Sequence, residues 1–268
     1  MYTLAVANHK GGVGKTFTAV NLGYQLAQLG HRVLLVGADS QAHATYYLFK
    51  DHAFDRDLTD VLTAAIAGNR SPRLSEVVVA VPRIPNLHLV PSSLRVAELD
   101  LRLTTDFGQR HLRLSRALAE EGDTYDVALI DCPPALSLMV LNALAAADGI
   151  LAPVAFTNFS LVGLNRFLTW VEHFRAEGVI HGDFLGVLPT FFDGRQRADR
   201  QGLILLHNSG HRIFDPVPRR TGSEALVAAQ EFAGETPDSA AVADPYGKLA
   251  ETVVEMTRHQ VHVEARVG

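Results

Sequence analysis

Short, wholly apolar runs alternate with amphipathic stretches along almost the entire chain. Residues 4–7, 33–36, 127–130, 149–154 and 184–188 are continuous apolar runs, without the polar alternation of a half-exposed strand, and 87–90 is a short strand interrupted by His88. Such runs predict parallel strands covered on both faces. Between them, apolar positions at helical spacing predict helices over 17–29, 136–147 and 158–177, the last with Leu161, Leu164, Leu168 and Val171 on one face. A stripe of Leu58, Val61, Leu62, Ala65 and Ile66 ends at Gly68-Asn69, and a long charged helix over 94–121 is expected to break near Gly108. A strand at 211–214, a polar loop at 235–244 and a final helix at 245–256 with Leu249, Val253 and Met256 in its stripe complete the pattern. Strands alternating with helices specify an α/β fold with a doubly wound, mostly parallel sheet flanked by helices. The expectation is one domain across 1–268, with a flexible tail from about 258.

The chemistry starts where the first strand meets the first helix. Asn8-His9-Lys10-Gly11-Gly12-Val13-Gly14-Lys15-Thr16 joins them. Glycines at 11, 12 and 14 let successive backbone N–H groups turn inward as a nest for phosphate oxygens, backed by the positive end of the helix dipole. Lys15 then reaches the outer phosphates and the Thr16 hydroxyl ligates Mg²⁺.

Two other apolar strands end in carboxylates. The run at 33–36 leads to Gly37-Ala38-Asp39-Ser40-Gln41, and the run at 127–130 leads to Asp131-Cys132-Pro133-Pro134. In an open α/β sheet, ligands bind outside the carboxyl ends of the strands. Asp39 is therefore a candidate to position an attacking water or to contact the metal's water shell, the alternative being a plain turn aspartate. Asp131 matches the second magnesium motif of such nucleoside triphosphatases, holding the ion through water.

The second lysine, Lys10, together with these segments, resembles the ParA/MinD family of deviant phosphate-loop (Walker A type) ATPases, nearest to the Soj-like partition ATPases. The resemblance runs from about residue 2 to about 255. It implies ATP and Mg²⁺ as cofactors, a nucleotide-binding run of Gly11, Gly12, Val13, Gly14, Lys15, Thr16 and Phe17, and Pro218 beside the adenine. It also implies that Lys10 reaches across a homodimer to the partner's ATP, so that Lys10, Lys15 and Asp39 are the catalytic set. The family usually writes D-x-D-P-Q where this chain has Gly37-Ala38-Asp39-Ser40-Gln41. The hydrolytic aspartate is kept as Asp39, while the first aspartate and the proline are lost, and the loss bears on the hydrolysis rate.

From Arg195 to Arg220 the balance shifts: six arginines (Arg195, Arg197, Arg200, Arg212, Arg219, Arg220) face two acids (Asp199, Asp215). Arginines of this kind hold phosphate backbones without reading bases. Asp193-Gly194-Arg195 and Val217-Pro218-Arg219 resemble the segments through which ParA-type proteins contact nonspecific DNA. Arg195, Arg197, Arg200, Arg219 and Arg220 are the candidate DNA contacts. The spacing onward to Glu224-Ala225 departs from the family's by one residue. Ordinary solvated arginines are the competing reading.

Composition narrows the rest. With 24 Lys plus Arg against 29 Asp plus Glu, the formal net charge is −5, so any nucleic-acid surface is local. The one cysteine, Cys132, excludes an internal disulfide framework and a CxxC metal site, and suits a reducing cytosol. A small packing residue is the expected role there, and packing is likewise expected of the lone Trp170. The twelve histidines form no HExxH pattern. No 18-residue apolar run occurs, and the mixed charge after Arg258 differs from the basic amphipathic tail of MinD-type relatives. A cytoplasmic, nucleoid-associated ATPase with a ParB-like or adaptor partner, and without membrane anchoring, is the leading expectation. A MinD-like membrane switch and a low-turnover nucleotide-binding scaffold are the alternatives, whereas an iron–sulfur redox subunit lacks its second cysteine. With the first strand beginning at about Tyr2, an added operator-reading domain is not expected.

Overall fold

The computed structural model describes residues 1–63, 72–104, 109–156, 160–219 and 231–267. Its strands are β1 (Tyr2–Val6), β2 (Val33–Gly37), β3 (Val79–Ala80), β4 (Leu87–Val90), β5 (Val127–Asp131), β6 (Gly149–Ala155) and β7 (Asp183–Thr190). They form one sheet in the order β3-β4-β2-β5-β1-β6-β7, parallel throughout except for the β3–β4 pair. Every residue of β1, β2 and β5 is buried, which is why those segments carry no polar alternation. The two-residue β3 was not anticipated; at that length it leaves no periodic signal.

The helices are α1 (Lys15–Gln28), α2 (His43–Phe49), α3 (Leu58–Thr63), α4 (Arg95–Thr104), α5 (Arg113–Ala119), α6 (Leu138–Ala146), α7 (Ser160–Ala176), α8 (Arg197–His207) and α9 (Ala240–Val267). Side chains alternate across the sheet: Ala5 and Ala7 join a core with Leu144, Phe167 and Val171, while Leu4 and Val6 join another with Leu22, Leu26 and Leu249. Helices therefore cover both faces of the sheet, the doubly wound arrangement the sequence pattern predicts. α9 packs on α1, with the buried Tyr246 hydroxyl 3.3 Å from the Thr18 hydroxyl. It runs on through the stretch expected as a loose tail.

The structure adds detail to one sequence expectation and corrects another. The helix expected over 94–121 is divided into α4, a 3₁₀ turn at Arg110–Leu112 and α5. Buried Asn142 on α6 holds the new helix start: its Oδ1 accepts from the N–H of Arg113 (3.1 Å) and Leu114 (3.3 Å), and its Nδ2 donates to Arg110 O (2.9 Å). Those N–H groups have no partner within their own helix, so a side chain from a neighbouring helix satisfies them. The strand expected at 211–214 is only a β-bridge from Ile213 to Val187. Pro216 and Pro218 lack N–H groups, so the segment follows β7 through the N–H groups they spare: Phe214 to Val187 O (2.9 Å) and Val217 to Pro189 O (2.8 Å). Gly186 permits that approach, because a Cβ there would lie 2.5 Å from Arg212 O. The predicted features Ala65, Ile66, Gly68-Asn69, Gly108, Asn158, Arg220 and Glu224-Ala225 lie outside the described residues. Among the described residues, no helix is long and apolar enough to cross a membrane.

Asn142→Ala removes the acceptor that serves two N–H groups of α5 and is expected to destabilise the protein by about 1–3 kcal/mol. A lower denaturant midpoint with an unchanged m-value checks this; an unchanged midpoint contradicts it.

Candidate functional site

β5 lies between β1 and β2, with Asp131 in register with Val6 on one side and Gly37 on the other. The loop after β1, the segment after β2 and the end of β5 are thereby brought to one edge of the sheet. Asn8 fixes the start of the loop: its Nδ2 donates to Pro153 O (2.8 Å) and its Oδ1 accepts from Lys10 N (3.1 Å). Thr190 at the end of β7 fixes the far side by donating to Val13 O (2.8 Å). Gly12 and Gly14 have φ of 70° and 78°, the left-handed conformation that glycine adopts without steric cost. α1 then begins at Lys15, presenting its N-terminus to the loop.

Lys15 is buried, and its Nζ donates to Lys10 O at 3.0 Å. Burial pulls its pKa below the ordinary lysine value, against the opposing pull of Asp131, Cys132 and Asp39. Asp131 is fully buried, and neither carboxylate oxygen has a hydrogen-bond partner of acceptable geometry. Desolvation pushes its pKa up to about 7, with Asp39 adding to the rise and the Thr16 hydroxyl and Lys15 opposing it. Two unpartnered carboxylate oxygens, an adjacent hydroxyl and a buried ammonium fit a hard cation held through water beside a polyphosphate. Cys132 beside them is fully buried with its Sγ 3.7 Å from Ile130 O, and burial pushes its thiol well up, so it is a packing residue.

Asp39 is buried and divided between two tasks. Its Oδ1 accepts from Gln41 N (3.0 Å), closing a local turn, while Oδ2 lies 3.8 Å from Nδ1 of exposed His43. It also lines a cavity of about 410 Å³, with Gly11, Gly12, Gly14, Lys15, Thr16, Phe17 and Phe191 among the other lining residues. Such a volume falls in the range of small-molecule sites. Lys10, Val13, Asp131 and Pro218 do not line this cavity. Val13 is buried, and Pro218 bridges to Phe192 instead. At Gly37 a Cβ would meet the Ser92 hydroxyl at 2.7 Å, so Ser92 fills the space into which an aspartate there would extend.

The arginines fall into different settings. Arg195 is 91% exposed and is gripped by Asp193 at Nε (2.9 Å) and at a terminal nitrogen (3.0 Å). Arg200 donates to Gly194 O (2.7 Å) and Arg195 O (2.9 Å), bracing the loop. Arg197 begins α8 and is exposed. Arg219 Nε donates to Phe191 O (3.2 Å), and Arg212 lies over the Phe214 ring, 4.8 Å from its centroid. Sequence reasoning missed His43, Ser92, Thr190 and Phe191, and it gave no role to Asn8 at the start of the loop stretch. Only the order of chain segments brings the first four to the loop, and none of them stands in the loop motif. Trp170 packs edge-on against Phe174, and no group of three His, Cys, Asp or Glu among the described residues could hold a metal directly.

Comparison with known proteins adds context to this geometry. A family model described as an AAA domain matches residues 1–181. The chromosome-partitioning ATPase Soj of Thermus thermophilus is 35% identical over 255 residues, covering 94% of each chain. Cobyrinic acid a,c-diamide synthase from Mycobacterium smegmatis, solved with an ATP analogue and magnesium, superposes with a TM-score of 0.79 at 28% identity, covering 95% of this chain and 94% of that one. The McdA–ATP complex from Cyanothece superposes with a TM-score of 0.85 at 23% identity, over 94% of this chain and 96% of the other.

The Asp131 shift fixes a sign. Below about pH 4 the carboxyl is protonated in both the folded and the unfolded chain. Between there and about pH 7 only the unfolded chain is ionised, so stability falls as pH rises. The nucleotide-free wild type is expected to lose stability relative to Asp131→Asn across that window and to level off above it. Parallel stability–pH curves for the two proteins would overturn the burial assigned to this carboxylate.

Proposed function

The chain belongs to the Soj/ParA family of partition ATPases, and from that membership we propose that it is an ATP- and Mg²⁺-dependent positioning switch. With ATP it closes into a sandwich homodimer and coats DNA without sequence preference. A ParB-like or adaptor partner then stimulates an otherwise slow hydrolysis to ADP and phosphate, and the dimer releases its cargo and the DNA. The protein acts in the cytoplasm on the nucleoid. The observation that carries this reading is the split between the two loop lysines: Lys15 is buried in the cavity wall, whereas Lys10 lies outside its own chain's cavity.

Residue roles follow from position. The N–H groups of Gly11 to Thr16, with Phe17 next in the helix, cradle the phosphates, and Lys15 neutralises charge on the transferred phosphoryl group. Pro218 borders the base. Thr16 and, through water, Asp131 would hold Mg²⁺, which would neutralise negative charge on the polyphosphate. Asp39 keeps one oxygen in its turn and directs the other toward the attacking water. Lys10 adds a positive charge to the partner's site only in the dimer, so hydrolysis is coupled to assembly. Arg195, Arg197 and Arg219, with Arg220 next in sequence, meet DNA phosphates, and Arg200 braces their loop. A second reading, a low-turnover scaffold, has Gly37 in its favour. Retention of steady-state hydrolysis at background with DNA and the true partner present would select it.

DNA binding tests the proposal: a random-sequence duplex is titrated without nucleotide, with ADP–Mg²⁺ and with ATP–Mg²⁺, at two salt concentrations. Binding only with ATP, weakened by salt and by Arg219→Ala, is expected. No binding in any state removes the arginine surface from the account and favours a switch acting on protein or membrane. For Lys10→Ala, nucleotide affinity is expected to persist while ATP-dependent dimerisation or turnover falls. Unchanged dimerisation and turnover would defeat the trans role.

A further inference from the structure

Phe191, the residue directly after β7, has a φ of 51°, a left-handed conformation rare for a bulky aromatic side chain. Strain of this kind persists where surrounding contacts over-determine it, and it concentrates at ligand clamps and switch regions. One side of Phe191 belongs to the phosphate loop. Its ring lines the cavity and packs so closely on Gly14 that a Cβ there would lie 3.1 Å from Cε2. The ring centroid is 6.3 Å from that of Phe17, and the preceding Thr190 donates to Val13 O (2.8 Å). The other side belongs to the arginine surface. Phe191 O accepts from Arg219 Nε at 3.2 Å, Phe192 O accepts from Arg219 N at 2.7 Å, and Asp193 holds Arg195.

We infer that Phe191 is the positioning residue through which an occupied phosphate loop controls the Arg219 guanidinium, and with it the grip of the arginine surface on DNA phosphates. The inference rests on the DNA-binding reading above and assigns its nucleotide dependence to one residue. In the nucleotide-free chain the left-handed backbone presents the 191 carbonyl to Arg219 Nε and fixes the direction of the guanidinium. A polyphosphate seated in the loop packs against the Phe191 ring and drives the residue toward the extended region. Its carbonyl leaves Arg219, which turns to accept a phosphate partner. The two backbone states of residue 191 are the bistable element that both sites bias.

The experiment measures duplex affinity by anisotropy, without nucleotide and with a saturating non-hydrolysable ATP analogue plus Mg²⁺. The proteins are wild type, Phe191→Leu, which loses the ring, and Phe191→Gly, which also removes the strain. Dimer fraction is read by light scattering and the melting midpoint is recorded for each sample. Wild type is expected to bind at least about fivefold more tightly with the analogue. With the analogue at a concentration that saturates each variant, whose own affinity for it is measured first, the two duplex affinities should lie within about twofold of each other in samples of equal dimer fraction. A wild-type ratio in both variants overturns the inference, as does equal weakening in both nucleotide states or loss of the ratio together with the dimer. Wild type that binds DNA in neither state defeats the underlying reading itself, an outcome visible before any variant is measured.

Discussion

A carboxylate sealed under a glycine loop is the constraint on which the rest of this molecule depends. Asp131 has no solvent exposure and no hydrogen-bond partner for either oxygen, at the centre of a sheet that buries its neighbours completely. Ionising a carboxyl in such a place is costly, and burial accordingly pushes its pKa up to about 7. It is tolerable because Lys15 and Thr16 face it across the loop, and because a cation and a polyphosphate complete the charge balance. The parallel register of β1, β5 and β2 makes this arrangement unavoidable once each strand ends in its loop. The left-handed turns at the glycines, the stapling by Asn8 and Thr190, and the turn at Asp39 all serve to hold the same few ångströms.

Much of this was legible in the chain itself. Wholly apolar runs reported buried parallel strands, because a strand covered on both faces has no position for a polar residue. The loop motif reported its own geometry, because glycine accepts the φ values seen at Gly12 and Gly14 without steric cost. What the chain did not reveal was decided by contacts distant in sequence. Gly108 signalled the break in the long charged helix, but not that Asn142 on α6 would supply the acceptor that starts the next one. Two prolines thin an expected strand to a bridge. Gly37, read as a missing carboxylate, lies against the Ser92 hydroxyl, so its meaning rests on a residue that no local pattern links to it.

The arginine surface illustrates the same limit in charge. Counting residues gave a positive stretch, yet the side chains differ in what they are able to do. Arg200 braces a loop, Arg195 is held by Asp193, and Arg219 is aimed by the main chain at Phe191. Net charge describes attraction to a polyanion in general, whereas the local partners of each guanidinium differ. The segment from Thr190 to Arg195 thus joins the phosphate loop to the surface within a few residues, without a long path through the core.

The most direct measurement is calorimetric titration of ATP into the wild type and into Lys15→Ala, each with and without Mg²⁺. The wild type is predicted to bind with an affinity that rises in the presence of Mg²⁺, and Lys15→Ala to show no measurable binding in either condition. Equal affinities for the two proteins, or indifference of the wild type to Mg²⁺, would contradict the central claim that the loop, Lys15 and the buried Asp131 form one polyphosphate and cation site.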